Sequence, residues 1–131
     1  MLLLGALLAG WPNPWGDTDG LDVQVISHGE AVELEDHLVQ GKFTVIDVGA
    51  SWCAPCHDAA HRLKGYVASN DDVAVRVVHL PGEPWEMSQS PAASLLPRGA
   101  IPYFEVYNPE GDLLYSGNRV EKVIRKIERK R

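Results

Sequence analysis

The sequence predicts an α/β domain in which a central mixed β-sheet is flanked by helices on both faces. Three observations lead there. Two runs rich in β-branched residues, Phe43–Val48 and Val73–Leu80, have the length and composition of buried strands. Between them apolar residues recur at helical spacing, and a strand–helix–strand unit this short requires parallel pairing with a right-handed crossover. Further on, two short strand-like runs flank a turn-rich link, and their antiparallel pairing makes the sheet mixed.

The elements follow in chain order. Val23–Ile26 predicts a short strand, and Glu33–Gln40 a short helix ended by Gly41. Phe43–Val48, bounded by Gly41 and Gly49, is the first core strand. A helix is expected from about Cys53 to Ser69, with Cys56, Ala59, Ala60, Leu63 and Val67 on one face. Val73–Leu80 is the second core strand. Residues 81–98 are punctuated by proline and glycine around one helical turn, with Ser90 at its cap and Pro91 in its first position. Tyr103–Tyr107 and Leu113–Ser116 flank Asn108-Pro109-Glu110-Gly111-Asp112, a link of hairpin length. The last helix carries Val120, Val123, Ile124 and Ile127 on one face.

At 131 residues the chain suits one compact domain, and 45% hydrophobic residues can build its core without a disulfide scaffold. The two cysteines both sit in a single Cys-x-x-Cys, which points to chemistry or metal rather than stapling. A net charge of −6 argues against nucleic acid as a partner. Residues 119–131 carry +5 and the rest −11, as expected for the solvated face of a terminal helix whose dipole the cations complement. Leu2–Ala9 is too short to span a membrane and has the length of the apolar centre of an export signal, without that signal's positively charged start. It predicts export, to a bacterial periplasm or cell envelope rather than the cytoplasm, and membrane contact only through this segment. Residues 1–20 are read as this apolar segment and a linker rich in Pro and Gly, in which Trp11 and Trp15 are expected to pack on the domain. The folded domain is read as residues 21–131.

A Cys-x-x-Cys that follows a buried strand and opens a helix has a physical logic. The free N–H groups and partial positive charge of a helix N-terminus stabilise a thiolate. Cys53, at the helix start, is expected to be the exposed nucleophile. Cys56, one turn on, lies on the same side and can resolve a mixed disulfide. Pro55 is tolerated because the first-turn N–H lacks a helical partner. Asp47, inside the apolar strand Phe43-Thr44-Val45-Ile46-Asp47-Val48, should be desolvated and its pKa raised toward the working pH.

With Trp52-Cys53-Ala54-Pro55-Cys56, the chain resembles the thioredoxin family over roughly residues 23–130. Trp52 matches the tryptophan before the first cysteine of the family's motif, and Asp47, six residues before Cys53, its buried acid. The resemblance implies a thioredoxin-like fold, a redox-active disulfide, and a proton relay from Asp47 to the resolving cysteine. Arg98-Gly99-Ala100-Ile101-Pro102 is similar to the loop before the family's cis-proline. Pro102 would then abut the cysteines, and the backbone of Ile101 would pair with an extended substrate. On the same footing Trp52, Ala54, Pro55, Ile101 and Pro102 are the substrate-binding set, and Gly117 matches the glycine before the last helix. Three departures stand out. Gly49 replaces the aromatic two residues after the acid, His79 replaces the common lysine on the next strand, and Ala100 is an extra loop residue. Ala-Pro between the cysteines resembles reducing members of the family.

The implied activity is that of a thiol–disulfide oxidoreductase reducing protein disulfides through Cys53 and Cys56, with a part in cell redox homeostasis. It needs disulfide-bearing protein substrates and an external thiol reductant, and no bound cofactor or metal. One alternative keeps the fold as a redox sensor or partner-binding module. Another reads Cys53-Ala54-Pro55-Cys56-His57 as a c-type haem attachment, with Met87, His61 or His79 as second axial ligand, but leaves Asp47 without a role. A zinc reading takes Cys53, Cys56 and His61 but meets Tyr66 where a fourth ligand would fall. His57 and His61 are otherwise expected on the helix surface, and His28 and His37 at the protein surface.

Overall fold

Strand β2 (Phe43–Ala50) lies at the centre of the sheet, parallel to β3 (Val73–Leu80) on one side and antiparallel to β4 (Tyr103–Tyr107) on the other. Strand β1 (Val23–Ser27) runs parallel along the outside of β3, and β5 (Leu113–Gly117) antiparallel along β4, giving the order β1-β3-β2-β4-β5. β2 and β3 are covered on both faces, which is why their sequences read as continuous apolar runs rather than as alternations. This computed structural model describes residues 13–131, so the apolar run Leu2–Ala9, Trp11 and the export reading lie outside the described residues. Among the described residues no helix is long and apolar enough to cross a membrane.

Both α-helices pack on one face. Helix α1 (Ala54–Ala68) contributes Ala59, Leu63 and Val67, and α2 (Val120–Lys130) contributes Val120, Val123 and Ile127, to a core shared with Val45, Val75 and Phe104. The end of α2 is tied to the turn before β3. There Arg131 holds the two oxygens of Asp72 through Nε and an Nη at 3.1 and 2.9 Å, and these bonds hold the Asp72 carboxyl below its ordinary pKa.

The other face is covered by three 3₁₀ turns, Leu34–His37, Pro84–Gln89 and Pro91–Leu95, of which Leu34 and Ala92 seat on Ile46, Val48, Val78 and Leu80. The helix predicted over Glu33–Gln40 is thus only a single 3₁₀ turn. Glu33 makes no side-chain cap bond, Leu38 is extended, and the Val39 N–H donates to Thr44 Oγ1 at 2.9 Å instead of to a helical carbonyl. Ser90 and Pro91 stand where they were expected, but the Ser90 hydroxyl makes no cap bond; the turn is anchored by the Ala92 N–H on the Gly29 carbonyl at 2.9 Å. The turn at Pro84 was not anticipated, although Glu83 and Glu86 form a reciprocal capping box around it. On this face both Tyr103 and Tyr107 donate their hydroxyls to the Glu105 carboxylate.

Candidate active site

The C-terminal ends of β2 and β3 deliver the site. Beyond Ala50 the chain turns, with the Cys53 N–H on the Ala50 carbonyl at 3.2 Å, and α1 begins. Cys53 is the N-cap of α1. Its Sγ accepts the Cys56 N–H at 3.2 Å, while its carbonyl accepts from Cys56 and His57 at 3.1 and 3.2 Å. A sulfur in the cap position receives one of the donors that a helix start leaves free. The two cysteines are joined as a disulfide, with Cα atoms 5.2 Å apart.

Cys53 is not the exposed residue expected. It is 5% exposed and Cys56 6%, because a cap side chain folds back over its own helix and is bonded there to Cys56. The outward surface of the motif is made by Ala54 and Pro55. The two sulfurs differ in surroundings instead: Cys53 has the helix amide, and Cys56 faces inward toward Asp47.

Asp47 projects from β2 toward α1 and is 2% exposed, with no hydrogen-bond partner at Oδ1. Burial pushes its carboxyl up to about 7, against a smaller opposing effect of the Trp15 side chain as hydrogen-bond donor. Gly49 stands between this carboxyl and Cys56. A methyl group placed there would lie 3.3 Å from Cys56 Sγ and 4.0 Å from Asp47 Oδ1. The residue that departs from the family pattern is therefore the one that leaves the acid and the thiol facing each other. The gap opens into a cavity of about 40 Å³, lined also by Trp15, His57 and His79. Gly49 carries no ring of its own, and Trp15 brings one to the cavity from the linker.

His57 was expected on the helix surface but is 8% exposed, and its Nε2–H donates to the Ser51 carbonyl at 2.8 Å. In the folded chain that bond and the disulfide occupy the groups that a haem attachment would need. Burial holds the His79 imidazole below its ordinary pKa, assisted by His28 and His57, and the His28 and His79 rings lie 6.1 Å apart. Among the described residues, no three His, Cys, Asp or Glu side chains gather as a metal site.

Val48 pairs with Tyr103 across β2 and β4, so one residue further on Pro102 comes level with Gly49 and hence with Cys56. The Ile101–Pro102 peptide bond is cis. Trp52 and Ile101 both pack, partly exposed, on the second-face core, and Trp52 Nε1 is buried without a partner. The Pro102 carbonyl accepts from Asn118 Nδ2 at 2.5 Å, a tie from the turn before α2 that sequence reasoning missed. Trp15 packs on the domain as expected, but its place beside Asp47 was not foreseen. Neither has a local signal, since each depends on residues far away in the chain. The structure thus gathers Trp52, Cys53, Ala54, Pro55, Cys56, Asp47, Ile101 and Pro102 at one end of the sheet.

No family model matches the chain, and no curated protein matches it. Solved structures do. Trichomonas vaginalis thioredoxin superposes with a TM-score of 0.63 at 19% identity, over 86% of this chain and 99% of that one. Trypanosoma brucei brucei thioredoxin gives 0.60 at 14%, over 86% and 96%. Thioredoxin f2, from its complex with ferredoxin:thioredoxin reductase, gives 0.61 at 18%, over 87% and 98%. The chain has the thioredoxin fold.

Proposed function

We propose that the chain is a thiol–disulfide oxidoreductase that reduces protein disulfides through a Cys53/Cys56 dithiol–disulfide cycle. The observation that carries this reading is the asymmetric setting of the pair: a helix amide 3.2 Å from Cys53 Sγ, and beside Cys56 a gap at Gly49 that faces a buried carboxyl.

In the reduced protein the α1 amides favour the Cys53 thiolate. It attacks one sulfur of a substrate disulfide, forming a mixed disulfide and releasing the first substrate thiolate, which takes a proton from water. The Asp47 carboxylate then accepts the Cys56 thiol proton. The Cys56 thiolate attacks Cys53 Sγ, the mixed disulfide breaks, and the second substrate sulfur leaves as a thiolate that is protonated in turn. Two electrons pass from the dithiol to the substrate, and a thiol reductant restores them. Ile101 and Pro102, level with the cysteines, offer the backbone along which an extended substrate segment lies, while Trp52, Ala54 and Pro55 form the surface it meets. Support for a reductase partner comes from thioredoxin f2, whose structure was solved with ferredoxin:thioredoxin reductase.

Cys56→Ser removes the resolving thiol and should accumulate mixed disulfides between Cys53 and protein partners, seen as adducts on non-reducing gels that dithiol dissolves. Absence of any adduct sinks the scheme. A sensor or binding module with the same fold would form the disulfide once but reduce no more than one equivalent of substrate when supplied with electrons. Export through residues 1–20 is proposed as part of the same reading, and fractionation of cells making the full chain tests it.

A further inference from the structure

Each cycle leaves a proton on Asp47, a side chain 2% exposed, and that proton must be lost before the carboxyl can serve again. Its surroundings are unequal. On one side lies Trp15, held over the cavity by a tight turn in which the Trp15 N–H donates to Asn13 Oδ1 and the Gly16 N–H to the Asn13 carbonyl, both at 3.0 Å. On the other side a graded line of imidazoles leads outward. His79 pairs in register with Gly49, two residues along β2 from Asp47, and shares the cavity with it. His79 is half-buried, and 6.1 Å from its ring is that of His28, exposed at the end of β1. The cavity, about 40 Å³, has room for a bridging water.

We propose that Asp47 exchanges its proton with solvent through His79, toward the His28 side, while Trp15 closes the cavity against direct exchange with bulk water. The proposal rests on the assignment of Asp47 as the base for Cys56. His79 is a positioning residue here, because it acts on the thiol through Asp47. Neutral imidazole accepts the carboxyl proton at one ring nitrogen and gives up a proton to solvent from the other, so His79 ends neutral as its other tautomer, restored by exchange with water, and Asp47 ends as the carboxylate. The titratable groups facing His79 are Asp47 from β2, His57 and, in the reduced protein, the Cys56 thiol from α1, and His28 from the end of β1; the Asn13–Trp15 turn adds only uncharged side chains. Glu30 accepts the main-chain N–H of His28. Burial and the two neighbouring imidazoles lower the His79 pKa, favouring the neutral form that accepts a proton.

The test uses the reduced full chain and the aromatic disulfide 5,5′-dithiobis(2-nitrobenzoate). Attack by Cys53 releases one coloured thiolate, and resolution by Cys56 releases the second. The size of the first release counts reactive Cys53 thiols, and cooperative thermal unfolding checks that each variant is folded. At pH 6 most Asp47 is protonated, since its pKa is about 7, and the second release must await loss of that proton. His79→Phe should slow the second release about tenfold or more at pH 6 and converge with the parent at pH 9, where the carboxyl is already ionised. Adding Trp15→Ala to His79→Phe should return the pH 6 rate to within about threefold of the parent, because water then reaches the carboxyl directly. Equal rates at pH 6, a gap that persists at pH 9, or a double variant as slow as His79→Phe would each overturn the relay. Asp47→Asn separates the two levels. If it leaves the second release unchanged at both pH values, the base assignment itself fails. If Asp47→Asn slows that release and His79→Phe does not, the relay alone fails.

Discussion

A single missing side chain decides how Cys56 and Asp47 meet. With Gly49 in ordinary extended backbone, alanine is sterically allowed in the main chain, and its methyl would sit 3.2 Å from Cys56 Cβ and 3.3 Å from Cys56 Sγ. The first turn of α1 must then shift by a few tenths of an ångström. Gly49→Ala is therefore expected to cost roughly 1 kcal/mol of stability, and to slow the resolving step more than the initial attack because apolar volume now separates acid from sulfur. Thermal unfolding and the two-stage thiolate release measure the two effects. If both stages slow equally, the gap has no chemical part. The cysteine pair, Trp52 and Asp47 were legible in the sequence because the motif and the run of apolar neighbours around the acid are local. The significance of Gly49 was not, since it depends on which helix residue comes to lie above that strand position.

At the scale of elements, the turn between β5 and α2 supports the segment before β4 through a single side chain, as Asn118 donates to the Pro102 carbonyl. Asn118→Ala leaves that carbonyl without the bond, at a cost of about 1 kcal/mol in the placement of the loop. On the proposed pairing of a protein substrate with the Ile101 backbone, the expected outcome is a KM about fivefold higher for a protein disulfide, with little change toward a small aromatic disulfide that makes no such pairing. Comparable losses for both substrates would assign Asn118 a purely structural part. β2, β3 and α1 were readable because their periodicity and length are strong signals, and tertiary packing only confirms them. The segment Glu33–Gln40 read as a helix for the same reason, yet a threonine hydroxyl on β2 takes the amide that would have extended it. That bond spans only five residues, but it forms because Thr44 is already fixed in β2, and helical periodicity alone does not display it.

For the molecule as a whole, the carboxyl proposed as the base for Cys56 weakens the fold. Asp47 titrates near 3.8 in the unfolded chain and at about 7 in the folded one, so between those values the folded state holds the proton more tightly. Stability is fully present below the lower value and falls as pH rises through about 7, because the buried carboxylate must then exist without a cation. Asp47→Asn should consequently raise the stability of the oxidised protein by on the order of a few kcal/mol at pH 8 and leave it nearly unchanged at pH 4, as read by denaturant unfolding. An equal gain at both pH values would mean that shape rather than charge is responsible. The arrangement of the covering layer has its own outcome for anything that settles across the disulfide. One side of the sheet is braced by two α-helices; the other is covered by three 3₁₀ turns, in which only Leu34 and Ala92 are buried. A chain that settles across the disulfide thus meets long helices on one side and thinly anchored turns on the other, and with fewer buried contacts to break it is the turns that open at lower cost.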